Sequence, residues 1–247
     1  MAQEGEGGVA NAPLPDGSPG RAFVQGLLRL IVSVPALVLL STSLGFGALA
    51  RDGGFSFAHA TFLAVIVFAL PNQVVLIDQL ARGATLAGAA LAVTLTAVRL
   101  MPMTVTLVPM LRGSRRRPLL EILAAHFVAI STWIEGNRRL PALPQDLRLP
   151  FHLGGGSAVA LMMVAGTVAG YTLVAGIPAI VTAALLFMTP LYFVLSLMAT
   201  SRSRMDIAAI VLGCSLSPVL FLLAPGVDLL GTGLIGGTLA YVIGRRR

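Results

Sequence analysis

Residues Ala84 to Met110 read ATLAGAALAVTLTAVRLMPMTVTLVPM and carry a single charge, Arg99, in a run of 27 residues. A helix needs about 20 apolar residues to cross the hydrocarbon core of a bilayer. This run is therefore long enough to span a membrane, and it predicts a helical membrane protein.

Eight apolar runs, this one included, follow one another along the chain with short polar segments between them, and six of them are long enough to span comfortably. They are approximately Phe23 to Ala50, His59 to Leu80, Ala84 to Met110, Leu119 to Ile134, Ser157 to Ile177, Ala179 to Thr200, Ile207 to Ala224 and Val227 to Ile243. We expect an all-α, polytopic membrane helix bundle with seven or eight transmembrane segments. The fourth run decides between these numbers: it is short and contains Glu121 and His126, so it is either a short or tilted span or an interfacial helix.

Composition and charge support the membrane interpretation. Only 11% of the residues are charged and the mean hydropathy is +0.90, whereas a soluble domain has about 25% charged residues. The net charge of +7 would suggest a nucleic-acid partner in a soluble protein, but here the arginines lie mostly between apolar runs and set topology. If the fourth run does not span, 13 of them lie on one side and 3 on the other. This distribution favours seven spans and a cytoplasmic C-terminus. We expect a multi-pass protein of the cell inner membrane.

The first 20 residues differ from the rest of the chain. Met1 to Gly20 are rich in Gly, Pro, Ala and acidic residues, a composition that predicts a disordered tail. Residues 21–247 then form the transmembrane domain. Within it, Phe68-Ala-Leu-Pro71 resembles Phe187-Met-Thr-Pro190, which is either a weak internal repeat of the kind that transporters carry or a chance similarity.

Arg99 is the most informative single residue. Its position within the third run places it about 15 Å deep, near the middle of the hydrocarbon layer. An arginine at that depth is costly and usually faces a protein interior, a carboxylate or a polar cavity. One interpretation is structural, with the side chain snorkelling or paired with Asp78 or Glu121. The other is functional, because the planar guanidinium suits bidentate binding of a substrate carboxylate.

Polar and small residues at two other places also allow two interpretations. Pro71, Asn72 and Gln73 interrupt the second run, where they either offer amide groups to a ligand or form a kink with amide hydrogen bonds between helices. Small residues occur in Ser41 to Ala48 and at the Gly-x-x-x-Gly pair Gly166 and Gly170. Close helix packing is the favoured interpretation of these, and discontinuous helices at a substrate site are the alternative.

The sequence contains no motif of an enzyme or a metal site. The three histidines are too scattered to be metal ligands, and no HExxH, GxSxG or phosphate-loop pattern is present. We therefore expect no metal, no cofactor and no enzymatic activity. His126 could titrate near neutral pH and couple to protons, although a hydrogen-bonded structural histidine is the more common case.

Three segments in the same order resemble the AzlC family of branched-chain amino-acid permeases. They are Ser-Leu-Gly-Phe-Gly-Ala-Leu-Ala (Ser43 to Ala50), Val67-Phe-Ala-Leu-Pro-Asn-Gln73 and Arg99-Leu-Met. The similarity covers most of Arg21 to Arg247. Two positions depart from the family pattern, Leu70 where the family has glycine and Ala97 where it commonly has asparagine.

The resemblance implies a large subunit that works with a small AzlD-type membrane subunit and exports branched-chain or related amino acids with an ion gradient. Arg99 would then contact the substrate carboxylate or a gating carboxylate, and Asn72 and Gln73 would line the path. Alternating access would use helix breaks at five prolines: Pro35, Pro71, Pro102, Pro190 and Pro218. The alternatives are a membrane-embedded enzyme acting on a lipid and a non-transporting membrane subunit.

Overall fold

The computed structural model describes residues 17–114, 117–173, 178–200, 204–223 and 228–245. Within these residues the chain forms α-helices and one short 3-10 helix, and no β-strand, which confirms the predicted all-α fold. The α-helices are α1 (Pro19–Ile31), α2 (Val34–Asp52), α3 (Phe57–Ile66), α4 (Leu70–Ala81), α5 (Leu86–Ala97), α6 (Leu100–Leu111), α7 (Pro118–His126), α8 (Ile130–Arg139), α9 (Gln145–Leu173), α10 (Ala179–Thr200), α11 (Arg204–Leu223) and α12 (Asp228–Arg245).

The first helix begins inside the segment predicted to be a disordered tail. Ser18 caps α1, because its hydroxyl accepts a hydrogen bond from the backbone nitrogen of Arg21. Pro19 follows at the first helical position, where a missing backbone N–H costs no hydrogen bond. The helix therefore starts two residues before the end of the predicted tail, and residues 1–16 of that tail lie outside the described part of the chain.

The first four apolar runs are each divided into two helices. The interruptions lie at residues 32–33, 67–69, 98–99 and 127–129. Ser33 illustrates the cause at the first of them: its hydroxyl donates to the carbonyl oxygen of Leu30 and accepts from the nitrogen of Ala36, which ends one helix and starts the next.

These interruptions change the number of helices that can span a bilayer alone. By length and composition, the candidate spans among the described residues are α2, α9 and Met205–Leu223 of α11, with a fourth if the bent pair of α5 and α6 is one span. The predicted seven or eight spans exceed this count because broken runs give helices shorter than the bilayer core. Neither helix of the fourth run is a candidate span, in agreement with the interfacial alternative. The total number of spans stays a prediction.

The chain divides into two compact units. The first contains residues 1–70 and 99–186, and its central helix is α9, which packs along α1 and α2. A buried apolar cluster in this unit includes Leu107, Leu111 and Leu140. The second contains residues 71–98 and 187–247. In it α11 and α12 are antiparallel neighbours, since Met205 lies beside Gly244 and Leu220 beside Gly231.

Glycines allow the backbones of α9 and α1 to touch. A Cβ atom added to Gly154 of α9 would overlap the carbonyl oxygen of Phe23 in α1. A Cβ atom on Gly26 of α1 would in turn overlap the carbonyl oxygen of Phe151. Only glycine fits at these two positions, so the two helices meet backbone to backbone.

The same contact joins α9 to α2. A Cβ atom on Gly166 would lie 2.6 Å from the carbonyl oxygen of Leu40, and one on Gly170 would overlap the carbonyl oxygen of Leu44. From the other side, a Cβ atom on Gly47 would overlap the carbonyl oxygen of Thr167. Helix α9 runs without interruption through these glycines. The packing interpretation of the Gly-x-x-x-Gly pair is therefore confirmed.

Candidate functional site

Arg99 lies at the interruption between α5 and α6, at the cap position of α6. The residue is half-buried, and its Nε atom is buried without a hydrogen-bond partner among the described residues. A charged group with an unsatisfied buried nitrogen is costly in an apolar segment. Such a group has spare capacity to bind an anionic ligand.

The two carboxylates predicted as possible structural partners of Arg99, Asp78 and Glu121, both have other arginine partners. Asp78 instead pairs with Arg82, four residues later on the same helix, at 2.9 Å. Glu121 pairs with Arg112 at 3.2 Å. Both carboxylates therefore have arginine partners close to them in sequence.

Helix α6, which follows Arg99, is anchored along its length. The indole nitrogen of Trp133 in α8 donates to Oγ1 of Thr106 at 2.9 Å, and Leu107 and Leu111 are fully buried. Near its end, Arg148 of α9 donates to the carbonyl oxygen of Met110 at 3.5 Å. Met103 and Met110 also pack against the buried cluster of this unit. Helix α6 is therefore held by packing along most of its length, and Arg99 lies at its N-terminal end.

Asn72 and Gln73 lie side by side in the first turn of α4, directly after Pro71. Both are buried, with exposed fractions of 4% and 0%, and Oδ1 of Asn72 has no hydrogen-bond partner among the described residues. Pro71 fits this first turn because the backbone N–H that it lacks would have no partner in the helix. The structure thus places the two amides together in the second unit, while Arg99 belongs to the first.

The five prolines predicted as helix breaks fall into two groups. Pro35, Pro71 and Pro102 lie in the first turns of α2, α4 and α6, each just after an interruption. Pro190 and Pro218, in contrast, lie inside α10 and α11, which continue through them. These two are therefore not helix breaks in this structure. A proline inside a helix removes one backbone hydrogen bond, and the remaining bonds allow the helix to continue. A hinge role for the five stays a prediction.

The two segments of the predicted internal repeat differ in backbone conformation. Residues 67–69 separate α3 from α4, whereas residues 187–190 are helical throughout. The similarity between Phe68-Ala-Leu-Pro71 and Phe187-Met-Thr-Pro190 is thus one of sequence, and the repeat stays a prediction.

Two interruptions meet within the first unit. Phe68, from residues 67–69, packs its ring 5.2 Å from that of Phe127 and 5.9 Å from that of His126. Thr132 stabilises the second interruption, since its hydroxyl accepts from the nitrogen of Ala129 and donates to the carbonyl oxygen of Phe127. The sequence analysis missed this arrangement. A threonine that caps a helix three residues after the interruption is the signal that was available.

The described residues contain no group of three or more His, Cys, Asp or Glu side chains able to hold a metal ion. Cys214 is exposed on α11.

Comparison with known families gives one result. A family model described as AzlC protein matches residues 35–177. The match covers more than half of the chain and includes Asn72, Gln73 and Arg99. No curated protein and no solved structure matches the chain.

Proposed function

Because the chain belongs to the AzlC family, we propose that it is a membrane permease that exports branched-chain or related small amino acids. The AzlC family is associated with branched-chain amino acid transport, and the long apolar helices α2, α9 and α11 suit a protein of the membrane. The direction of transport and the substrate are parts of the proposal.

Arg99 carries the proposal. Its guanidinium stands at a helix interruption inside an apolar segment, with the Nε atom buried and unpartnered among the described residues. A carboxylate is the anionic group that every amino acid offers, and it can accept two parallel N–H bonds from one guanidinium. We assign Arg99 to this carboxylate.

Asn72 and Gln73 are proposed to line the path for the rest of the substrate. Both amides are buried at the start of α4. Neutral amides offer hydrogen-bond donors and acceptors to a polar substrate without adding a charge at membrane depth. The aliphatic side chain would be received by the Leu, Val and Phe residues that dominate the helices.

A small AzlD-type subunit and an ion gradient complete the proposal, together with an inner-membrane location. The spanning segment of α11 is not buried inside this chain. Its apolar surface must therefore be covered by lipid or by another membrane protein, which supports a second subunit. Val211, Val219 and Phe221 are among the exposed side chains of α11, which suit contact with lipid or with a second membrane subunit.

The test is efflux of radiolabelled leucine, isoleucine and valine from preloaded cells that express the chain with and without a small AzlD-type subunit. We expect Arg99→Gln to reduce efflux at least tenfold, because a hydrogen bond to a charged group contributes about 1.5–3 kcal/mol. Arg82→Gln is the matched control, since Arg82 is an exposed arginine whose partner is Asp78.

Normal efflux by Arg99→Gln would remove Arg99 from the site. No efflux of any amino acid by an inserted wild-type protein would favour a non-transporting membrane subunit. An enzyme acting on a lipid would instead release a changed lipid product, which thin-layer chromatography of labelled membranes detects.

A further inference from the structure

A small cavity lies within the first unit, where α8 and α9 pack together beside the end of α1. Its volume is about 10 Å³, which is room for about one water molecule. Thr132 and Glu135 of α8 and His152 of α9 are its polar lining residues, and Leu30 and Phe151 are among the apolar ones. This site is separate from Arg99, Asn72 and Gln73, none of which lines it.

A hydrogen bond to a backbone carbonyl fixes the tautomer of the neutral His152 ring. The side chain is 4% exposed, and its Nε2 atom lies 3.1 Å from the carbonyl oxygen of Ala124 in α7. A carbonyl oxygen only accepts hydrogen bonds, so Nε2 must carry the hydrogen. In the neutral ring Nδ1 is then the nitrogen with the free lone pair, and it is the atom that accepts a proton.

Glu135 supplies a negative charge to the same cavity. Its carboxylate forms an ion pair with Arg139 on the same helix, and the charge of Arg29 on α1 also interacts with Glu135 and Arg139. These three side chains therefore carry two positive charges, on Arg29 and Arg139, and one negative charge, on Glu135. A proton on His152 would add to this positive excess.

Several other ionisable groups on the elements around α9 have partners elsewhere, and Arg21 of α1 and Arg138 of α8 are exposed. In α7, Glu121 pairs with Arg112 and His126 packs against Phe68. Arg51 of α2 donates to the carbonyl oxygen of Tyr171, near the far end of α9. In α3, His59 interacts with Ser56.

Two further ionisable groups lie on α9 itself, and the first, Asp146, accepts hydrogen bonds from Ser114. Arg148 donates to the carbonyl oxygens of Leu143 and Met110. Among the described residues, Glu135 is therefore the carboxylate that shares the cavity with His152.

We propose that this cavity is a proton-binding site in which Nδ1 of His152 accepts one proton and a single water links the imidazolium to the carboxylate of Glu135. The inference rests on the proposed transport function and names the proton as its coupling ion. The proton enters from water on one side of the membrane, converts the imidazole to imidazolium, and leaves to water on the other side, so no other reactant is needed.

The first experiment observes the proton directly and does not require transport. The chain has three histidines, so ¹⁵N-histidine labelling of the full chain in lipid nanodiscs gives three pairs of imidazole signals, one for Nδ1 and one for Nε2 of each ring. The variants His59→Gln and His126→Gln assign them by loss of a pair. We expect the His152 signal to change from the neutral Nε2–H form to imidazolium as pH falls. In Glu135→Gln the midpoint should fall by about one pH unit, because a neighbouring negative charge is lost.

A His152 signal that stays neutral from about pH 4 to 9 in the folded chain would overturn the proposal. An unchanged midpoint in Glu135→Gln would remove Glu135 from the site and overturn the proposed pair. Each sample is first checked by gel filtration, so that unfolded protein is not scored.

The second experiment tests coupling in proteoliposomes that contain the chain with its small subunit. The variant His152→Gln keeps a side-chain N–H that can bind the Ala124 carbonyl oxygen but cannot take up a proton. We expect it to exchange labelled for unlabelled substrate at the wild-type rate while a pH gradient no longer drives net transport. Net transport that still follows the pH gradient would refute the site. Absence of transport by the wild-type protein would contradict the proposed function, and the NMR measurement would still decide the proton site.

Discussion

The indole nitrogen of Trp133 donates a 2.9 Å hydrogen bond to Oγ1 of Thr106, and this bond joins α8 to the helix that begins after Arg99. Thr106 also donates to the carbonyl oxygen of Pro102 in its own helix. The position of Arg99 thus depends on a polar contact between two helices as well as on the burial of Leu107 and Leu111.

The Trp133–Thr106 bond should be measurable by a double-mutant cycle. We expect Trp133→Phe and Thr106→Val each to lower the free energy of unfolding in detergent, with a coupling between them of about 1 kcal/mol. Thr104→Val is the control, because the hydroxyl of Thr104 donates to Leu100 within α6. Additive effects of the two changes would mean that the bond contributes nothing to stability.

Gly170 should not tolerate even one methyl group. We expect Gly170→Ala to destabilise the first unit by about 1–3 kcal/mol, since the added Cβ atom would overlap the backbone of Leu44. Gly237→Ala is the matched control in α12, where a Cβ atom would meet nothing within 4 Å. It should be neutral or stabilising by up to about 1 kcal/mol. Thermal unfolding in detergent measures both, and equal melting temperatures would contradict the packing interpretation.

We expect that a lysine at position 99 cannot bind the substrate as tightly as Arg99 does. The variant Arg99→Lys keeps the positive charge but loses the planar fork that can hold a carboxylate by two bonds. We expect the substrate Kd to rise about tenfold, with normal insertion in the membrane, because one charge-assisted bond is lost. Binding of labelled leucine to purified protein measures this. A wild-type Kd would show that charge alone is sufficient at this position.

The segment that follows α6 is fastened to the start of α9. Oδ1 of Asp146 accepts from the backbone nitrogen of Ser114 at 2.9 Å and from its hydroxyl at 2.8 Å. Residues 112–117 contain four arginines, so trypsin can report on opening of this segment. We expect Asp146→Ala to be cut several-fold faster there than the wild type. Asp52→Asn, at the exposed end of α2, should leave the rate unchanged, and equal rates for all three proteins would mean that the contact does not restrain the segment.

The sequence predicted the all-α fold and one packing face, because both are local properties. Long apolar runs require internally satisfied backbones, which only helices provide in this case. The spacing of Gly166 and Gly170 places both on one face of a helix, and that face does meet α2.

The interruptions could not be predicted from the apolar pattern. Residues 67–69 and 127–129 are Val-Phe-Ala and Phe-Val-Ala, which are as apolar as the helices around them. Prolines were interpreted as breaks inside helices, whereas Pro71 and Pro102 belong to the first turn after a break. The cavity was missed for another reason: tertiary packing of α8 against α9 brings Glu135 and His152 together, and no local pattern encodes it.

The glycine contacts between α2 and α9 have a consequence for measurement. No side chains separate the two backbones at Gly47, Gly166 and Gly170, so no layer exists there that could repack while one helix slides along the other. The distance between two spin labels on the outer faces of these helices should therefore stay constant and can be used as an internal reference. Distances from either label to the rest of the protein can then be assigned to motion of the other parts.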